Sequence, residues 1–154
     1  MKIKIVCAGK IKDKWLNDGI NEYVKRLSKY AKVEFCEVPD SPDSLPVEKA
    51  LEKEGDLMLS RISDSDYVWA MDLHGKLISS EELSERMMKA FEKGGSTLTV
   101  VIGGSNGLSG PLVSRANERI CLGNITLTHQ MTRLIILEQL YRGFKIAGNE
   151  KYHK

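Results

Sequence analysis

Several signatures that would assign a class at once are missing from this chain of 154 residues. No apolar run approaches the ~20 residues needed to span a membrane. No dinucleotide GxGxxG fingerprint and no GxxxxGK phosphate cradle occurs. The three cysteines, Cys7, Cys36 and Cys121, are odd in number and far apart, with no CxxC pair. That argues against a disulfide framework and against a zinc site, and leaves them as small buried hydrophobes in a reducing compartment. His74, His129 and His153 show no ligand spacing, so no metal is expected. No serine is tied to a base, so no Ser-His-Asp arrangement can be argued. The opening stretch "MKIKIVCAGK" is basic and then apolar, but it is too short for a signal peptide and lacks a cleavage site. A cytoplasmic location is expected, with no membrane partner. No repeat and no linker is visible, so residues 1–154 are read as one domain.

Charge of one sign is also scarce. The formal net charge is +2, which argues against a protein that coats nucleic acid by neutralising many phosphates. The little excess there is sits at one end. From Arg133 to Lys154 there are five basic residues against two acidic ones, and the rest of the chain is slightly acidic.

What is present is an ordinary globular composition, 42% hydrophobic and 29% charged, which excludes long disorder. "KIKIVCAG" reads as a strand buried on both faces. "DKWLNDGINEYVKRLSKY" carries Leu16, Ile20, Tyr23, Val24 and Leu27 at helical spacing. "KVEFCEV" alternates as a strand, and "PDSPDSLP" is a loop. A second helix is expected from Val47 to about Ile62, interrupted only by Gly55. "DYVWAMDL" is a strand, turned by "HGK". Ser79 with Glu82 forms a capping box for a helix to about Lys93, which Gly94 and Gly95 stop. "TLTVVIG" is the most strand-like stretch. A glycine-rich loop follows, then a short helix opened by Pro111 and a short strand near Arg119 to Leu122. A long helix is expected from about His129 to Ile146. This alternation predicts an α/β fold: an open, mostly parallel sheet with helices on both faces.

Three stretches could carry chemistry. "VVIGGSNGLSGP" follows a buried strand, where open α/β sheets bind ligands, although a tight turn would look the same. "CLGNITLTHQMTRLIILEQLYRGFKI" leads a short loop into a helix apolar almost all round, which implies burial on several sides. On that helix Glu138 and Arg142 stand four apart and can pair. His129, near its first turn, fits a structural role as readily as a catalytic one. "AMDLHGK" places Asp72 and His74 about a turn. The end of the chain, "GNEKYHK", reads on composition as a frayed terminus.

Taken in order, "MDLHGKLISSEE", "VIGGSNGLS", "LTHQMTRLIILEQLYRGFKI" and a final "YHK" resemble the RlmH family over essentially the whole chain. These are SPOUT-class methyltransferases of bacteria that methylate N3 of a pseudouridine in large-subunit ribosomal RNA. The resemblance implies a C-terminal trefoil knot, which spacing alone does not show. It implies S-adenosylmethionine as cofactor, with Met71, Gly103 and the loop Leu122, Gly123, Asn124, Ile125, Thr126, Leu127 as its pocket. Gly103 would admit the cofactor by lacking a side chain. Thr128 departs from the proline often found before the histidine, which is expected to loosen the loop. His129, Arg133, Arg142, Tyr152 and His153 are expected to surround the target base. Arg133 and Arg142 would bind phosphate or developing negative charge, Tyr152 would stack, and His153 would position the base or take the proton. The tail, leaving the helix that follows the cofactor loop, is expected to reach the transfer site. A homodimer acting on rRNA in the assembled ribosome is implied, the partner subunit helping to complete the site. Two alternatives stay open: a SPOUT enzyme for another rRNA or tRNA position, and a non-catalytic nucleotide- or RNA-binding module.

Overall fold

The structure is a computed structural model and describes all residues 1–154. Ten elements alternate along the chain: β1 (Lys2–Ala8), α1 (Lys14–Leu27), β2 (Lys32–Val38), α2 (Val47–Leu59), β3 (Tyr67–Leu77), α3 (Ser80–Lys93), β4 (Thr97–Ile102), α4 (Gly110–Arg115), β5 (Glu118–Cys121) and α5 (His129–Ala147). The five strands form one sheet in the order β2-β1-β4-β3-β5. Every pairing is parallel, so the expectation of a mostly parallel sheet is met in full.

The apolar strands bury both faces because successive side chains point opposite ways. Ile3, Ile5 and Cys7 of β1 join Leu98, Val100 and Ile102 of β4 under α1, α3 and α5. Val6, Ala8 and Val101 lie on the other face under Met58 of α2 and Leu112 of α4. α5 is the main lid of the first face. Its Ile136, Leu137 and Leu140 are fully buried and Phe144 nearly so. At roughly 1.5–3 kcal/mol for each such side chain, this helix is among the most firmly held elements, so its two ends have fixed positions.

Two local expectations are corrected. "HGK" does not turn β3; the strand runs on to Leu77, and its pairing with β5 slips between Met71 and Lys76. Gly75 is there for close approach, since a Cβ would stand 2.7 Å from the Arg119 backbone. Nor does Gly55 interrupt α2. The helix passes through it, and its bare Cα lets Ser109, the cap of α4, lie where a Cβ would be 2.3 Å from the hydroxyl.

Candidate active site

Register brings the expected cofactor residues together. Met71 pairs with Ile102 of β4 on one side and Ile120 of β5 on the other. Gly103 directly follows Ile102, and Leu122 follows Cys121. Met71 lies within β3, just before its irregular stretch, level with the last residue of β4, so it and the two loops meet at the same carboxyl rim, where such sheets bind ligands. Leu122 also lines a small cavity of about 180 Å³ with Ser80, Leu83, Ile135 and Gln139. Asn124, Ile125 and Thr126 are exposed, Ile125 at 74%. No backbone N–H from Leu122 to Leu127 donates to a backbone acceptor of the chain. A loop with free donors and an uncovered apolar side chain fits a flat, hydrogen-bonding ring such as adenine.

The reason for Gly103 differs from the expectation. A Cβ there would stand 2.2 Å from the Gly107 carbonyl oxygen. Its first duty is to let its own loop close, a closure completed by the Gly107 N–H donating to the Gly104 carbonyl at 3.0 Å.

The start of α5 is tied down from below. Thr128 does not loosen the loop but caps the helix: its hydroxyl accepts from the Met131 N–H at 3.1 Å. His129 is half-buried. Burial, and then the Arg133 charge, hold its imidazole below the ordinary value, against the opposing pull of Asp40 and Glu54. Arg133 is 1% exposed, and its Nη2 donates to the carbonyls of Ala8 and Gly9 at the end of β1. Its Nη1 lies 3.8 Å from a Glu37 oxygen, and neither Nε nor Nη1 has a hydrogen-bond partner. This corrects the expected phosphate contact: a side chain 1% exposed on the buried side of a helix, anchored to main-chain carbonyls through Nη2 alone, does not meet RNA from solvent.

The far half of α5 holds the tail. Gly148 caps the helix, as expected, and Asn149 takes a left-handed φ of 53° that reverses the chain. Tyr152 then packs edge-on against Tyr141, ring centroids 4.9 Å apart, with the Arg142 guanidinium 4.7 Å over its ring. Glu138 accepts from Arg142 Nε at 3.1 Å and from the Tyr152 hydroxyl at 3.1 Å. Burial, with bonds to Tyr23 and Glu138, pushes the Tyr152 phenol far above its ordinary value, so it stays neutral. His153 Nε2 lies 2.8 Å from Glu81 at the head of α3, and its Nδ1 lies 3.3 Å from Arg142 Nη1. Arginine only donates, so Nδ1 accepts and the proton sits on Nε2, facing Glu81.

Arg142, Tyr152 and His153 thus form one cluster, and the frayed-end reading of the tail is set aside. His129 is not part of it. From His129 to Arg142 is 13 residues of helix, roughly 20 Å at 1.5 Å each. The tail does not reach His129 within one chain, because Asn149 turns it back onto its own helix. Two members of the cluster lay outside the expected set. Glu138 had a signal in its i, i+4 spacing to Arg142. Glu81 had none, since it is 72 residues from His153 in sequence.

A family model described as "Predicted SPOUT methyltransferase" matches residues 1–153. The protein called ribosomal RNA large subunit methyltransferase H in Enterococcus faecalis is 48% identical, covering 100% of both chains. Its namesake in Desulforamulus reducens is 45% identical over 100% of this chain and 99% of its own. Among solved structures, a probable methylase family protein from Haemophilus influenzae superposes with a TM-score of 0.55 at 16% identity, over 96% of this chain and 66% of that one. TrmJ from Z. mobilis gives 0.54 at 12% identity, over 93% and 70%. At such identities these two speak for the fold alone.

Proposed function

Because the chain belongs to the SPOUT methyltransferase family, we propose that it transfers a methyl group from S-adenosylmethionine to large-subunit rRNA, at N3 of a pseudouridine. The observation that carries this reading is the convergence of Met71, Gly103 and the Leu122–Leu127 loop at one rim, in a chain alike over its full length to proteins named as rRNA methyltransferases. The trefoil knot of the C-terminal half comes with the same reading.

The residues fit the cofactor. Leu122, Ile125 and Leu127 offer apolar side chains and the loop backbone offers free donors for an adenine, while Met71 adds a flexible apolar contact. When bound, S-adenosylmethionine supplies a sulfonium methyl, already electrophilic. The protein's work is then to position the base and manage one proton. N3 of pseudouridine carries a hydrogen between two carbonyls. Arg142 is a fixed cation for charge that develops on those carbonyls as the proton leaves. Tyr152, a neutral phenol pinned by Glu138, gives an aromatic face and a hydroxyl. His153 has its acceptor nitrogen held by Arg142; when the guanidinium turns to substrate, Nδ1 is free to take the proton and Glu81 steadies the imidazolium. Arg133 takes no part in transfer and holds the rim together.

The separation of the tail from His129 within one chain supports a homodimer in which the tail of one copy faces the cofactor loops of the other. Half-exposed Met131, Leu134 and Ile135 on α5 give such a contact apolar surface. Mass spectrometry of rRNA from a strain lacking this gene tests the function. Loss of one methyl on a pseudouridine base is expected, and an unchanged modification pattern would overturn it. A monomer at micromolar concentration by sedimentation would overturn the shared site.

A further inference from the structure

We propose that the loop between β1 and α1, with Lys10, Lys12 and Trp15, is a docking surface for RNA flanking the target nucleotide; this rests on rRNA being the substrate. β1 is parallel to β4 and beside it, so the loop leaves the sheet at the same rim as Gly103. Its backbone is fastened at three points. Gly9, at φ +79°, donates its N–H to the Val38 carbonyl at 2.8 Å, and the Ala8 and Gly9 carbonyls accept from Arg133, one helical turn past His129. The Asn17 side chain donates to the Ile11 carbonyl at 2.9 Å.

On this fixed backbone the side chains are free. Lys14, two residues past Lys12, holds the Asp18 carboxylate at 2.7 Å, and at the opposite end of β1 Lys2 and Lys4 are likewise paired. Lys10 and Lys12 are exposed and enter no ion pair. Trp15 is 62% exposed, whereas Trp69 is fully buried. Unpaired ammonium groups next to an uncovered indole match a ligand with phosphates and stackable bases, and match an apolar protein surface poorly. The location resolves the low net charge. Affinity is concentrated at the rim where the substrate must lie, and a general attraction to RNA is not needed.

The test uses the full-length protein and ribosomal particles purified from cells lacking the methylation. Replacing both lysines, K10A with K12A, is expected to weaken particle binding roughly tenfold and to lower the slope of log affinity against log salt by about two. The charge-keeping pair K10R and K12R should restore both. Binding of S-adenosylhomocysteine and turnover at saturating particles should stay as in the parent. Trp15→Ala should weaken particle binding at least roughly fivefold without changing the sedimenting mass. Unchanged affinity and salt slope in K10A/K12A would overturn the proposal. A halved mass in Trp15→Ala would overturn it for the indole and assign Trp15 to contact between copies. Failure of the parent protein to methylate the particles at all would instead strike the proposed function.

Discussion

The two ends of α5 hold their functional residues by opposite means. At the start, Arg133 is sealed from solvent, its charge spent on the carbonyls of Ala8 and Gly9. Near the end, Arg142 is partly open and its charge is shared among Glu138, His153 and the Tyr152 ring. The same residue type is structural at one end and available at the other, nine residues or about two and a half turns along one helix. The difference lies in what each can exchange. Main-chain carbonyls of β1 cannot leave Arg133 without opening the sheet, whereas exposed side-chain partners can release Arg142 when a better acceptor arrives. Positions that must not move sit on backbone, and positions that must act sit on side chains.

Substitution at the sealed end should have the largest effect. Arg133→Met keeps the length of the side chain but leaves two buried carbonyls without donors, costing about 3 kcal/mol of folding stability. Urea titration measures it, and a loss under about 1 kcal/mol would mean that the guanidinium is no anchor. The open end should behave in the reverse way. Deleting Tyr152 to Lys154 should lower methylation about a hundredfold, or about 2.7 kcal/mol in barrier. Stability should change by less than about 1 kcal/mol, since partly exposed ion pairs contribute little. Binding of S-adenosylhomocysteine should be kept. Full methylation by the truncated protein would return the tail to the status of a frayed end.

Between these lies the rim itself. Gly103→Ala forces a methyl against the Gly107 carbonyl oxygen, and overpacking against backbone costs about 2 kcal/mol. S-adenosylhomocysteine binding, followed by calorimetry, should weaken with it, because the loop cannot close. Full stability would show that the loop adapts, and the glycine would then serve only the cofactor.

The parts that were legible in the sequence are those fixed by period and order. Alternating strands and helices imply a parallel sheet; the grouping of Met71, Gly103 and Leu122 came from the family resemblance, and the strand order β4-β3-β5 shows why they share a rim. Gly75 misled because a glycine after a strand signals a turn, while here it admits the backbone of β5. Arg133 misled because two rules conflict: a helix apolar all round implies burial, but arginine implies surface. The carbonyls that settle the conflict come from a strand 125 residues away in sequence. The reversal at Asn149 depends on a left-handed residue that no pattern announces, and with it went the reach of the tail.

A smaller effect separates the cap from the charge at the sealed end. Thr128→Ala should cost about 1 kcal/mol, the usual worth of an N-cap, with methylation lowered only as far as the loop frays. A proline there should be tolerated, since the Thr128 N–H is bonded to nothing in the chain and its φ of −62° already suits proline. If alanine costs nothing, the hydroxyl bond to Met131 adds nothing, and α5 is held at its start by Arg133 alone.

His129 gives the faintest signal and the most direct reading of the environment at that end. Burial, then Arg133, hold its folded-state value below the ordinary 6.5. As pH falls through 6.5, the unfolded chain takes the proton first, so stability is present at neutral pH and is lost progressively below it. His129→Gln removes this one contribution. The drop in urea midpoint between pH 7.5 and pH 5.5 should therefore be smaller in the variant than in the parent. An equal drop would mean that Asp40 and Glu54 cancel burial and Arg133, and a larger drop in the variant that they outweigh them. The start of α5 would then accept a second positive charge, and the contrast with its far end would be one of solvent exposure only.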